Sequence, residues 1–203
     1  MKLLHLDIFR HMGCDALPIR LANLQDLSFF SYWQRNTISE HFNFTSRTFC
    51  QRTNIGLRQT IELKDDIPFL AHIYVRSDCL SALVIVDKEY PVRVAFSFLN
   101  RVLSDFDNKY NDKWKLVKSD QSDSSSFLKE LFDLFQNPKD TDKILKIQDT
   151  LDDIKIVMHK NIEDILKRGE TIDELIKKSE DLSNNSKLIL NRSKKLNSCC
   201  KSW

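Results

Sequence analysis

The chain has 203 residues, a formal net charge of +2, 41% hydrophobic residues and 30% charged residues. This length allows one domain with an extension, and the near-neutral charge gives no indication of nucleic-acid binding. No stretch approaches the roughly 20 apolar residues of a membrane span, and the start, MKLLHLDIFR, lacks a signal peptide's apolar core. We therefore expect a cytoplasmic protein in which the scattered Cys14, Cys50 and Cys79 are reduced thiols.

The first two thirds of the chain predict an α+β domain. Leu4, Leu6 and Ile8 alternate with other residues, as in a half-buried strand. Pro91, followed by apolar residues at helical spacing, predicts the start of a helix. The predicted order is strands at 4–9 and 18–24, a helix at 31–52, strands at 56–63, 68–75 and 80–86, and helices at 91–106 and 127–135. We expect tight turns at 65–66 and 76–78, and a mobile, serine-rich loop at 107–126.

Motifs of catalysis are missing from the sequence. Three glycines leave no phosphate-binding loop, and the five histidines show no metal-ligand spacing with the cysteines. Nothing resembles a nucleophile elbow or a catalytic carboxylate pair. Acidic residues such as Asp152, Asp153, Glu163 and Asp164 are best explained as a solvated helix face. We therefore expect no enzyme, cofactor or metal.

The composition changes near Asn137-Pro138, because the last of the four prolines is Pro138 and the only later glycine is Gly169. We place the parts of the chain at 1–136, 139–198 and 199–203. In the second part, apolar and small residues recur in alternating steps of three and four, the period of a coiled-coil seam. The seam consists of Ile144, Ile147, Leu151, Ile154, Met158, Asn161, Ile165, Arg168, Ile172, Leu175, Ser179, Leu182, Ser186, Ile189, Ser193 and Leu196.

Arg168 stands where the seam requires a buried side chain. A guanidinium shut off from water needs acceptors, and equivalent arginines would repel each other in a homo-oligomer. Glutamine carbonyls on partner helices would satisfy it. The seam therefore favours a hetero-oligomer, about 80 Å long if helical throughout, in which Arg168 sets the register. A generic coiled-coil dimer, or an Arg168 that turns outward beside Gly169, remains an alternative.

Five segments resemble one protein family. Residues 158–170, MHKNIEDILKRGE, with IDEL at 172–175 and KSE at 178–180, resemble the centre of an R-SNARE motif. EYPVRVAF at 89–96 and NSCC at 197–200 are similar to segments of the lipid-anchored longin R-SNAREs, within the synaptobrevin superfamily. The resemblance extends over essentially the whole chain.

This resemblance implies a longin fold, a five-stranded antiparallel sheet flanked by helices, followed by a long C-terminal SNARE helix. It implies that Arg168 forms a central layer with glutamines from three Q-SNARE helices. The implied function is membrane fusion in vesicle transport, at ER-Golgi, Golgi, endosomal, vacuolar or lysosomal and autophagic membranes. In this family the longin domain folds back on the SNARE helix and buries the lipid in an apolar groove. The resemblance places Phe42 and Phe30 in that groove. Phe42 could equally be an ordinary core residue.

The tail would supply the membrane anchor. By position, Cys200 corresponds to the prenylated cysteine and Cys199 to an adjacent palmitoylated one, and two lipids suffice for stable anchoring. Lys201, Ser202 and Trp203 depart from the aliphatic residues and terminal Met of the family's prenylation box, so acylation of both cysteines stays an alternative. Two other functions also remain open: a self-acylating or palmitoyl-transferring protein, and a passive coiled-coil tether.

Overall fold

The structure is a computed structural model in which residues 2–64, 68–121, 126–137 and 155–190 are described. Its centre is a six-stranded sheet with the order β2-β1-β5-β4-β3-β6. The strands are β1 (Leu3–Arg10), β2 (Ile19–Gln25), β3 (Arg58–Lys64), β4 (Pro68–Val75), β5 (Leu80–Asp87) and β6 (Ile156–His159). All neighbouring pairs are antiparallel except β3 and β6, which are parallel.

Helices cover both faces of the sheet, so the central strands β1 and β5 are buried along almost their whole length. The helices are α1 (Arg35–Arg52), α2 (Val92–Tyr110) and α3 (Ser126–Leu134). α2 and α3 enclose one apolar core with the sheet, and α1 encloses the other. Pro91, with φ −65°, precedes the first residue of α2, where its fixed dihedral suits the start of a helix.

The predicted longin fold is confirmed, and the five strands expected in residues 1–136 are present in the expected order. The turn at 76–78 is also present, closed by a hydrogen bond of 2.9 Å from the Arg76 N–H to the Leu80 carbonyl. The turn at 65–66 lies outside the described residues. The loop expected at 107–126 is wrong in part, because α2 continues to Tyr110 and a 3₁₀ turn follows at Lys113–Leu116. Residues 117–121 form neither helix nor strand, and 122–125 lie outside the described residues. Trp114 in that turn is buried and donates to Asp107 Oδ1 at 3.1 Å.

The region after the longin domain differs from the single long helix that the seam predicts. Its described part consists of β6, a 3₁₀ turn at Ile162–Ile165, α4 (Ile172–Lys178) and helical residues 184–190. A helix with one apolar stripe needs a partner, and here Ile172, Ile176 and Leu182 are buried against the longin domain instead. This packing also adds the sixth strand. The remaining predicted seam and lipidation positions lie outside the described residues: Ile144, Ile147, Leu151, Ile154, Ser193, Leu196, Cys199 and Cys200.

Candidate functional site

The candidate site is the segment 155–190 where it packs against the longin domain. It begins with β6, which extends the sheet beside β3 over four residue pairs, from Arg58 with Ile156 to Ile61 with His159. Ile156, which is not a seam residue, packs against the core under α2. The seam residue Met158 is 66% exposed. In the strand conformation the off-seam residue Ile156 is therefore partly buried, while the seam residue Met158 is exposed.

Asn161, the first polar seam residue after β6, begins the 3₁₀ turn Ile162–Ile165. Its Oδ1 accepts the Asp164 N–H at 3.0 Å, and Asp164 Oδ2 accepts the Asn161 N–H at 3.2 Å. This reciprocal arrangement satisfies the N–H groups at the start of the turn. Ile165 then packs against the core under α1. A residue expected inside a helix bundle thus ends the strand here and starts a turn.

Arg168 lies in the turn between Ile165 and α4, and its side chain is exposed. Gly169 has φ +89°, a left-handed conformation that glycine adopts without strain. The turn is closed by the Glu170 N–H, which donates to the Lys167 carbonyl at 3.0 Å. The predicted buried guanidinium is therefore accessible to solvent in this conformation.

α4 buries its apolar side against α1. Thr171 begins α4 by accepting the Glu174 N–H at 3.3 Å, and acidic residues in its first turn and lysines in its last turn suit the helix dipole. Ile172, Ile176 and Leu182 form a buried cluster around Phe44 of α1, which we call the Phe44 cluster. Leu175 and Leu190 pack against its edge. Ile172 and Leu182 belong to the seam, but Ile176 does not.

Two arginines of α1 hold the segment from the side. Arg52 contacts both carboxylate oxygens of Glu170, with Nε at 3.0 Å and Nη2 at 2.8 Å. Arg47 Nε donates to Asp181 at 2.7 Å, and the same guanidinium contacts Asp120 of the longin domain. Paired contacts to a largely buried guanidinium fix both distance and orientation. The two arginines therefore define where Glu170 and Asp181 lie along α1.

Acidic groups at this contact are held ionised. Burial raises the pKa of Glu170, but the Lys167 N–H and the Arg52 guanidinium outweigh it, so the pKa of Glu170 is lowered. Burial similarly opposes the lowering of the pKa of Glu40, which is caused by hydrogen bonds from Ser186 and Ser183. The Ser183 N–H donates to Glu40 at 2.8 Å. Both carboxylates therefore stabilise the contact in their charged form.

Phe42 and Phe30, the predicted groove residues, lie in the core under α1. Phe42 is 1% exposed, and its ring meets those of Phe30 at 6.2 Å and Phe69 at 5.8 Å, both edge to face. Such geometry is favourable for aromatic pairs. Phe42 thus has the contacts of a core residue here, and its use as a lipid-binding residue stays a prediction.

Two family models match the chain. A longin model, described as a regulated-SNARE-like domain, matches residues 27–135. A synaptobrevin model matches residues 143–202. The seam and its Arg168 therefore lie within a match to a SNARE family, and strands β3, β4 and β5 with helices α1, α2 and α3 lie within a match to a longin family.

Full-length relatives agree with both matches. A synaptobrevin homolog YKT6 from Yarrowia lipolytica is 41% identical over 98% of both chains. The synaptobrevin homolog YKT6 of Saccharomyces cerevisiae is 36% identical over 98% of both chains, and the VAMP-like protein YKT61 of Arabidopsis thaliana is 40% identical over 90% of both. The chain is a longin-domain R-SNARE. As an R-SNARE it functions in vesicle transport and membrane fusion, together with other SNARE proteins, and it groups with SNAREs rather than with enzymes.

The contacts that hold this R-SNARE's segment were not predicted from its sequence. Arg47 and Arg52 resemble any surface arginines of a helix, and Arg52 is 118 residues from its partner Glu170. A signal for β6 was present in the β-branched pair Ile156-Val157, but the seam period is consistent with the same residues in a helix. No helix of the described residues is long and apolar enough to span a bilayer.

Proposed function

We propose that this R-SNARE joins three Q-SNARE helices in a four-helix bundle, in which Arg168 donates to glutamine side chains in the central layer. The seam supplies the apolar layers on either side, and their burial drives two membranes together. The exposure of Arg168 supports this role, because its guanidinium is accessible to partner helices before the bundle forms.

We propose further that the packed segment 155–190 is a resting state that prevents assembly. The observation that carries this proposal is the Phe44 cluster, because Ile172 and Leu182 are seam residues buried against the longin domain. The same two side chains cannot face α1 and three Q-SNARE helices at once. Assembly therefore requires the segment to leave the longin domain and become helical.

The proposed anchor is lipid on Cys199 and Cys200, and the proposed locations are the cytoplasm and the cytoplasmic face of Golgi, endosomal, vacuolar and vesicle membranes. In the resting state, the longin domain would also shield the lipid, with Phe42 and Phe30 near the groove. Intact mass measurement of the protein from its own cells tests the anchor. An unmodified Cys200 would contradict prenylation, and two acyl groups would support the alternative.

The bundle itself is tested by mixing the full chain with three Q-SNARE motifs and recording circular dichroism. We expect a large gain in helix and a complex that resists SDS. The seam of Arg168→Ala should still be available for assembly, but its complexes should melt at a lower temperature. Disulfide trapping should show that their helices pair in more than one register. Absence of any helical complex, or a single native register in Arg168→Ala, would contradict the proposal.

A further inference from the structure

The exposed aromatic side chains of the described residues are concentrated in one turn before α1. Trp33 is 87% exposed, Tyr32 is 76% exposed and Phe29 is 57% exposed. Tyr32 and Trp33 meet edge to face at 5.6 Å. We call residues 27–35 the aromatic turn. Single exposed apolar residues need no explanation, but three large aromatic rings within five residues do.

The aromatic turn is held in place by its own core residue. Phe30 is buried and meets Phe42 and Phe69 edge to face. The Phe30 N–H donates to the Leu27 carbonyl at 3.1 Å, and Arg35 Nε donates to the Phe30 carbonyl at 3.1 Å. The exposed rings therefore stand on a fixed backbone, so little conformational entropy is lost when they bind.

The charges beside the aromatic turn suit an anionic surface. Lys2 Nζ lies 5.9 Å from the centre of the Phe29 ring, and Arg35 closes the turn. Asp26 lies near both cations, and its Oδ1 accepts the Ser28 N–H at 3.0 Å. Residues 27–35 contain no acidic side chain.

The size of the patch favours a membrane over a protein. With roughly 150–250 Å² for each aromatic side chain, the exposed parts of these three amount to about 330–550 Å². A standard protein interface buries about 800 Å² on each partner. Insertion among lipid headgroups needs no matching surface, and Trp and Tyr are the residues enriched at that depth.

We propose that the aromatic turn is a membrane contact of the longin domain, which inserts Phe29, Tyr32 and Trp33 into the headgroup region beside anionic lipids. The contact is separate from the SNARE bundle and from any lipid on the tail. It would hold the longin domain at the bilayer surface, with α1 close to the membrane.

Recombinant, unlipidated full chain tests this proposal, with vesicles of phosphatidylcholine and a minor fraction of phosphatidylserine. A Trp203→Phe background removes the tail tryptophan, and the buried Trp114 provides a constant signal. We expect brominated lipid to quench Trp33, and Tyr32→Ser/Trp33→Ser to weaken vesicle flotation about tenfold. Leu116→Ser removes a similarly exposed side chain, 78% exposed, from the 3₁₀ turn that follows α2, and this variant should bind normally.

Three results would overturn the proposal. One is flotation without quenching of Trp33. Another is an equal loss of binding in Leu116→Ser. The third is a dimer in vesicle-free sedimentation that the Tyr32→Ser/Trp33→Ser variant abolishes, because the aromatic turn would then be a contact between copies of the chain. Tyr32→Phe/Trp33→Phe should retain most of the binding, and unchanged urea midpoints exclude misfolding as the cause.

Discussion

The sheet of the longin domain and the segment 155–190 use their apolar residues differently. In β1 and β5, apolar side chains on both faces of the sheet are buried, and each packs into one of the two cores. In the segment, Ile172 and Leu182 belong to the seam, whereas Ile156 and Ile176 lie off it, and all four contact the longin domain. A sequence that must form one structure can commit every apolar residue to it. The segment carries residues for both the packed state and the proposed bundle.

Changes to the longin core should have the largest effect. Phe49 of α1 is fully buried in the core under that helix. Phe49→Ala should lower the free energy of unfolding by about 3–5 kcal/mol, measured by urea denaturation. The exposed Leu116→Ala is the control and should change it by less than about 0.5 kcal/mol. Similar effects of the two variants would mean that the two-core arrangement is wrong.

The Phe44 cluster offers a sharper comparison. Ile176→Ala should destabilise the packed segment by about 2–4 kcal/mol, since Ile176 is buried there, and should speed assembly with Q-SNARE motifs. Ile172→Ala should destabilise the packed segment as much as Ile176→Ala does. It should also lower the stability of the bundle, because Ile172 is a seam residue. Hydrogen exchange of residues 172–182 and the melting of the complex separate these effects. If the bundles of Ile176→Ala and Ile172→Ala melt at the same temperature, Ile172 does not contribute to the bundle as a seam residue.

Removing one arginine of α1 should have a smaller effect. Arg52→Ala removes both contacts to Glu170 and should destabilise the packed segment by about 1–2 kcal/mol. Assembly should be faster while urea denaturation of the sheet is unchanged. Arg101→Ala is the matched control, because Arg101 pairs with Asp105 on the exposed side of α2. If Arg101→Ala speeds assembly as much as Arg52→Ala does, the Glu170 contact does not hold the segment.

Lowering the pH should have the smallest effect, and this effect should be confined to the packed segment around α4. The pKa values of Glu170 and Glu40 are lowered from 4.5 in the packed state, so their contribution is complete above that value. It is lost as the pH falls through the lowered pKa values. Amide resonances of α4 should therefore shift before those of β1 and β5 during an acid titration followed by NMR. Glu170→Gln should reduce this early shift.

The strands were predictable wherever alternation and turn residues agreed, as in β4, whose bounds were predicted at 68–75 and found at Pro68–Val75. β6 was not predictable in this way. Its four residues become a strand because the edge of β3 is available, and that depends on residues almost 100 positions away. Trp114 was missed for a related reason, since its burial depends on a hydrogen bond to Asp107 and on packing against α2. The position of Arg168 in a helical seam stays a prediction, because it rests on the local period of the sequence alone.

If the packed segment is the proposed resting state, the stability of the Phe44 cluster controls the rate of membrane fusion. If only a fraction of molecules has left the packed state, Q-SNARE helices experience an affinity reduced by that fraction. Each additional 1.4 kcal/mol of stability in the cluster would lower the competent fraction about tenfold. Small changes at Ile176, which lies outside the seam, could therefore tune how often vesicles fuse while leaving the force of the completed bundle untouched.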